Sequence, residues 1–173
     1  CTVGGLVNGV EYTFTVVAIN DEGNGEGSEV KVTPIGDPSK PLITVPLVVA
    51  VSPGEQVTVS WTAPVNDGGS AIAGYNVTAT LVGSSEVVST CTTVPTVDDP
   101  GLWCIVKELV NGEKYTFVVE VTTAAGFATK SPGVDETLPT TPSPPEITST
   151  DVADSQVRVK WTAPDDNGGS AIE

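Results

Sequence analysis

Two adjacent carboxylate pairs, Asp98 with Asp99 and Asp165 with Asp166, and three cysteines, Cys1, Cys91 and Cys104, are the side chains of this 173-residue chain best suited to chemistry. Paired carboxylates in a cleft act as acid and base in hydrolysis, and thiolates attack carbonyls, bind metals or join one another. The sequence contains no histidine, which removes the commonest general base and the usual partner of a nucleophilic side chain. Both aspartate pairs lie in turn sequences, "VDDPG" and "APDDNGGS", where a carboxylate accepts local backbone N–H bonds, and turn chemistry is the role expected of them. These oxygen-rich loops would also suit calcium, but neither has the spacing of an EF-hand. The expectation is therefore a chain that is not an enzyme, with no catalytic residue, no metal site and no cofactor.

Cys91 and Cys104 flank "TTVPTVDDPGLW". A disulfide between them would close that loop and, in the chain-entropy model, stabilise the fold by about 3 kcal/mol. That disulfide is predicted, with three reduced, buried thiols in a cytosolic protein as the alternative. The cysteines lack the short paired spacings of a zinc site. Trp103, beside Cys104, is read as packing on the disulfide; exposed, it would stack on a sugar or a neighbouring protein. "NVT" at Asn76 to Thr78 fits the N-glycosylation acceptor pattern. The glycine-rich run "NDEGNGEG" from Asn20 to Gly27 does not follow a phosphate-loop pattern and reads as a loop between two strands.

Seven Lys plus Arg against 22 Asp plus Glu give a net charge of -15, which repels nucleic acid and anionic membrane surfaces. No run approaches the roughly 20 apolar residues of a membrane span, so the chain is not expected to be membrane-embedded. Eighteen glycines and 14 prolines favour many short strands over long helices.

The elements that hold these residues are written in duplicate. "WTAPVNDGGSAI" at Trp61 to Ile72 returns as "WTAPDDNGGSAI" at Trp161 to Ile172, and "CTVGGLVNGVEYTF" at Cys1 to Phe14 returns as "CIVKELVNGEKYTF" at Cys104 to Phe117. "DPSKP" at Asp37 to Pro41 is echoed by "TPSPP" at Thr141 to Pro145. The three pairs share a period of about a hundred residues. They divide the chain into the C-terminal half of one repeat (1–36), a complete repeat (37–140) and the N-terminal half of a third (141–173). With no Met, and with Cys1 opening inside a strand-like pattern, the chain is expected to be an internal piece of a longer tandem array.

Hydrophobic residues alternate with period two along Val57, Val59 and Trp61, along Tyr75, Val77, Ala79 and Leu81, and along Tyr115, Phe117, Val119 and Val121. The first repeat writes the last of these rows as Tyr12, Phe14, Val16 and Ala18. Turn sequences punctuate the rows at Ser52–Glu55, Asn66–Gly69, Val97–Gly101, Val110–Glu113 and Ala124–Gly126. One inward row per strand, in about seven short strands, predicts an all-β sandwich.

This layout resembles the fibronectin type III domain, an immunoglobulin-like β-sandwich found in tandem in large secreted bacterial proteins. The resemblance implies core roles for Trp61 and Trp161 on the second strand and for Tyr75 on the third. It also implies tyrosine corners at Leu109 with Tyr115 and Leu6 with Tyr12. The stretch from Pro41 to Trp61 is four residues longer than that from Pro145 to Trp161, which leaves the first strand ambiguous around Pro46. The implied function is a non-catalytic, structural or adhesive repeat region of an extracellular or cell-surface protein, acting as extended spacer, stalk or filament building block. Neighbouring repeats or copies of the chain itself, and a cell-surface protein or polysaccharide, are its expected partners. The alternative is an accessory linker or binding region of a secreted carbohydrate-active enzyme.

Overall fold

The computed structural model describes residues 1–45, 47–50, 56–169 and 171–172; Pro46 and the turn expected at Ser52–Glu55 lie outside the described residues. Fifteen strands and no helix are found among them. Nine belong to a two-sheet sandwich: β5 (Leu42–Ile43), β6 (Val48–Ala50), β7 (Gln56–Thr62), β8 (Ile72–Leu81), β9 (Val87–Thr93), β10 (Trp103–Val106), β11 (Lys114–Thr123), β12 (Ala128–Lys130) and β13 (Val134–Thr137). The first sheet runs β10-β7-β5 with β6 also on β7, and the second runs β12-β11-β8-β9 with β13 also on β11. All pairings are antiparallel. The ambiguous first strand is thus written in two pieces, β5 and β6, both hydrogen-bonded to β7.

The period-two rows become the core. Val57, Val59 and Trp61 from β7 and Cys104 and Val106 from β10 face Tyr75, Val77 and Ala79 from β8 and Tyr115, Phe117, Val119 and Val121 from β11. A strand's side chains alternate between faces, so one buried row per strand leaves polar Thr, Ser and Asn on the other side. The Trp61 and Tyr75 rings meet at a centroid distance of 5.2 Å and a tilt of 55°, within the range where aromatic pairs add about 0.5–1.5 kcal/mol beyond area burial. The indole N–H of Trp61 has no hydrogen-bond partner among the described residues.

The remaining strands lie outside the sandwich. β1 (Tyr12–Val16) pairs with β4 (Ser28–Val32), β2 (Ile19–Asn20) with β3 (Gly23–Asn24), and β14 (Glu146–Ala153) with β15 (Gln156–Thr162). Here burial departs from expectation. Trp161, expected in a core, is 64% exposed, and Val16 is 72% exposed. Tyr12, Phe14 and Leu6 are only half-buried. The alternation is the same as in β7 and β11, but a row becomes a core only when a second sheet covers it, and among the described residues none covers these pairs.

Candidate functional site: two like clasps

The "NDGG" and "DNGG" loops follow β7 and β15, and each locks onto a chain segment 23–27 residues before it. In the first clasp Ser39 donates its N–H to the Asn66 carbonyl at 2.8 Å and Gly36 donates to the Gly68 carbonyl at 3.0 Å. Asn66 returns a bond from its own N–H to Ser39 Oγ at 3.0 Å. A second layer comes from the turn after Leu6: Gly9 N–H donates to the Pro34 carbonyl at 2.9 Å, and Asn66 Nδ2 donates to the Asn8 carbonyl at 3.2 Å. Three segments that are distant in sequence, 7–10, 34–39 and 64–69, are thereby tied together.

About a hundred residues later the pattern recurs. Ser143 N–H donates to the Asp166 carbonyl at 2.9 Å, Thr140 to Gly168 at 2.7 Å, and Gly112 to Leu138 at 2.8 Å. Asp166 N–H donates to Ser143 Oγ at 3.2 Å. The side-chain bond from Asn66 to Asn8 has no such counterpart, because Asp166 carries a carboxylate where Asn66 carries an amide N–H donor.

Local chemistry sets the loops up. Gly68 N–H donates to Asn66 Oδ1 at 2.6 Å and Gly69 N–H to Asp67 Oδ1 at 2.9 Å. Gly168 and Gly169 do the same to Asp166 and Asn167 at 2.8 and 2.9 Å. These side chains bond to the backbone two residues on, the Asx turn that makes Asn and Asp turn formers. Gly68 is required twice over: its φ is +73°, and a Cβ there would run into the Gly36 carbonyl oxygen. The turn that meets the loop is held by a tyrosine hydroxyl, whose oxygen accepts the Val7 N–H at 3.0 Å from Tyr12 and the Val110 N–H at 2.9 Å from Tyr115.

The residues singled out from sequence are distributed as follows. Cys91 on β9 and Cys104 on β10 are disulfide-bonded with their Cα atoms 6.3 Å apart, tying the edges of the two sheets. Cys1 is free and exposed. Trp61, Tyr75, Leu109 and Tyr115 meet in one core, whereas Leu6, Tyr12 and Trp161 lie outside it. Burial raises the Tyr75 phenol above its ordinary range. Asp99 accepts the Gly101 N–H at 2.8 Å, and Asp166 serves the second clasp; Asp98 and Asp165 are exposed. Asn76 sits mid-strand on β8, opposite Thr92 and Glu120. Trp103, read as packing on the disulfide, lines one groove with Cys91 and Cys104 and is 52% exposed, because β10's alternation turns Cys104 and Val106 inward. Sequence reasoning missed Ser39, Asn8 and Ser143 altogether. The available signal was the repeat itself, which preserves "PS" and "NG" together with "GG".

The fibronectin type III domain model matches residues 39–137. The chain is similar to Endoglucanase B of Cellulomonas fimi, with 30% identity over 96% of this chain and 16% of that protein. It is similar to Chitinase A1 of Niallia circulans, with 29% identity over 72% of this chain and 17% of that protein. It is also similar to human Myomesin-2, with 27% identity over 98% of this chain and 12% of that protein. The chain thus spans less than a fifth of the length of each of these relatives. Domains d3–d4 of the rat CD45 extracellular region share the fold, with a TM-score of 0.53 at 15% identity over 79% of this chain and 67% of that one.

Proposed function

The chain belongs to the fibronectin type III family, and from that premise we propose that it is a non-catalytic spacer whose clasps set the orientation of one repeat to the next. On this reading residues 1–36, 37–140 and 141–173 are parts of three successive units. The observation that carries it is the recurrence of the clasp: Ser39, Gly36 and Gly9 bond as Ser143, Thr140 and Gly112 do. A flexible linker would leave these backbone groups to water. The segments entering each repeat carry Pro38, Pro41, Pro142, Pro144 and Pro145, which favour extended backbone and stiffen the passage. The disulfide supports an oxidising setting, outside the cell or on its surface.

Small-angle scattering on arrays of three, four and five complete repeats tests this reading. The maximum dimension should grow in proportion to repeat number; growth near its square root, as for a chain of free joints, would end the proposal.

A second reading is favoured by the similarity to Endoglucanase B and Chitinase A1. Here the spacer is an accessory region beside a carbohydrate-active catalytic domain. The sequence flanking the spacer in the full-length protein decides between this reading and a purely structural or adhesive array.

A further inference from the structure

Trp103 is the one tryptophan of the sandwich that faces outward. Its strand, β10, is the outer strand of the first sheet, and β9 is the outer strand of the second on the same side, because the Cys91–Cys104 bond joins the two. Between these edges lies an open groove floored by the disulfide, with Trp103 and Val94 as apolar surface and Thr92, Asp99 and Lys107 around them. Trp103 and Val94 are both mostly exposed, and their neighbours offer a hydroxyl, a carboxylate and an ammonium. One oxygen of Asp99 holds the Gly101 N–H, which leaves the other to accept. Lys107 makes no ion pair among the described residues.

We propose that this groove is a binding site for an uncharged saccharide, with a pyranose ring lying on the Trp103 indole and its hydroxyls bonded to Asp99, Lys107 and Thr92. A sugar ring has an apolar C–H face and a polar rim. The groove matches both, with a flat aromatic surface beside donors and acceptors. Net charge selects the class of saccharide. At -15 the chain repels anionic glycans, and the Lys107 ammonium in the groove disfavours a cationic one, so a neutral glycan fits. Geometry disfavours an extended peptide. A strand inserted between two sheet edges needs about 4.8 Å on each side, and the disulfide holds the edges with Cα atoms 6.3 Å apart. The same bond fixes the groove before any ligand arrives, which reduces the ordering cost of binding. The site involves no clasp residue, so it stands or falls apart from the spacer reading.

The test is titration of the intact chain with cellohexaose, N-acetylchitohexaose and mannohexaose, followed by tryptophan fluorescence and calorimetry. At least one should bind saturably, and Trp103→Ala should weaken it by at least about fivefold. Trp103→Phe keeps a ring and should be intermediate, and Trp161→Ala, at the other exposed indole, should bind as the parent does. Near-ultraviolet dichroism would show that the variants remain folded. Three results overturn the proposal: no saturation by about 10 mM with any sugar, equal binding by Trp103→Ala, or loss of binding in Trp161→Ala alone. Capture of an unstructured peptide at Trp103, with none of the sugars binding, would do so as well.

Discussion

Ser39 and Asn66, 27 positions apart, bond to each other in both directions: Ser39 N–H donates to the Asn66 carbonyl at 2.8 Å and Asn66 N–H donates to Ser39 Oγ at 3.0 Å. Such a ring fixes two backbones against each other through a few polar contacts. It is therefore specific but individually weak, since a net hydrogen bond contributes about 0.5–1.5 kcal/mol.

Replacing the serine removes one side of the ring. Ser39→Ala should destabilise the clasp by about 1 kcal/mol and speed amide exchange at Asn66 by roughly fivefold. Amides in β11, such as Val119, should keep their rates. Native-state hydrogen exchange checks this; an unaltered Asn66 rate would mean the clasp contributes nothing in solution.

The glycine of the loop tolerates less. Gly68→Ala must place a methyl group against the Gly36 carbonyl at a φ of +73°, a strain of about 1–3 kcal/mol. Gly36→Ala should cost less, because its φ is ordinary and its methyl group would meet the side-chain amide of Asn8, which can turn aside, rather than fixed backbone. Chemical denaturation of the two variants compares them directly, and equal losses would contradict the fit described.

Removing the bond between Cys91 and Cys104 relaxes the unfolded chain. Cys91→Ser with Cys104→Ser, or reduction of the parent, should lower stability by about 3 kcal/mol. Thiol titration of the unreduced, denatured parent should find a single free group, Cys1. Three titratable thiols would disprove the bond.

High pH should act through Tyr75. Burial raises its phenol in the folded state, so the folded protein resists ionisation that the unfolded chain accepts at about pH 10. This stability is fully present below about pH 10 and is lost as pH rises through the raised folded value. Urea midpoints should therefore fall between about pH 9 and about pH 12, and fall less in Tyr75→Phe. Identical slopes in parent and variant would exclude this origin.

The sandwich was legible in the sequence because its causes are local: period two along β7, β8 and β11 and glycine-marked turns both operate within a few residues. The disulfide was legible from one spacing. The clasps were not, since Asn66 meets Ser39 and Asn8 across long stretches of chain. The Asx turn announces the loop but not what receives it. Trp161 shows the opposite failure. Its strand writes the same alternation as that of Trp61, yet Trp61 is 3% exposed and Trp161 64%. The difference is the opposing sheet, which no pattern within the strand encodes.

The clasp bonds run between main-chain groups of residues 36–39 and the loop at 66–68, and between those of residues 140–143 and the loop at 166–168. If tension is applied to the chain ends, residues 36–39 cannot straighten until Gly36 has let go of Gly68 and Ser39 of Asn66. A short length of backbone is therefore held in reserve at each clasp.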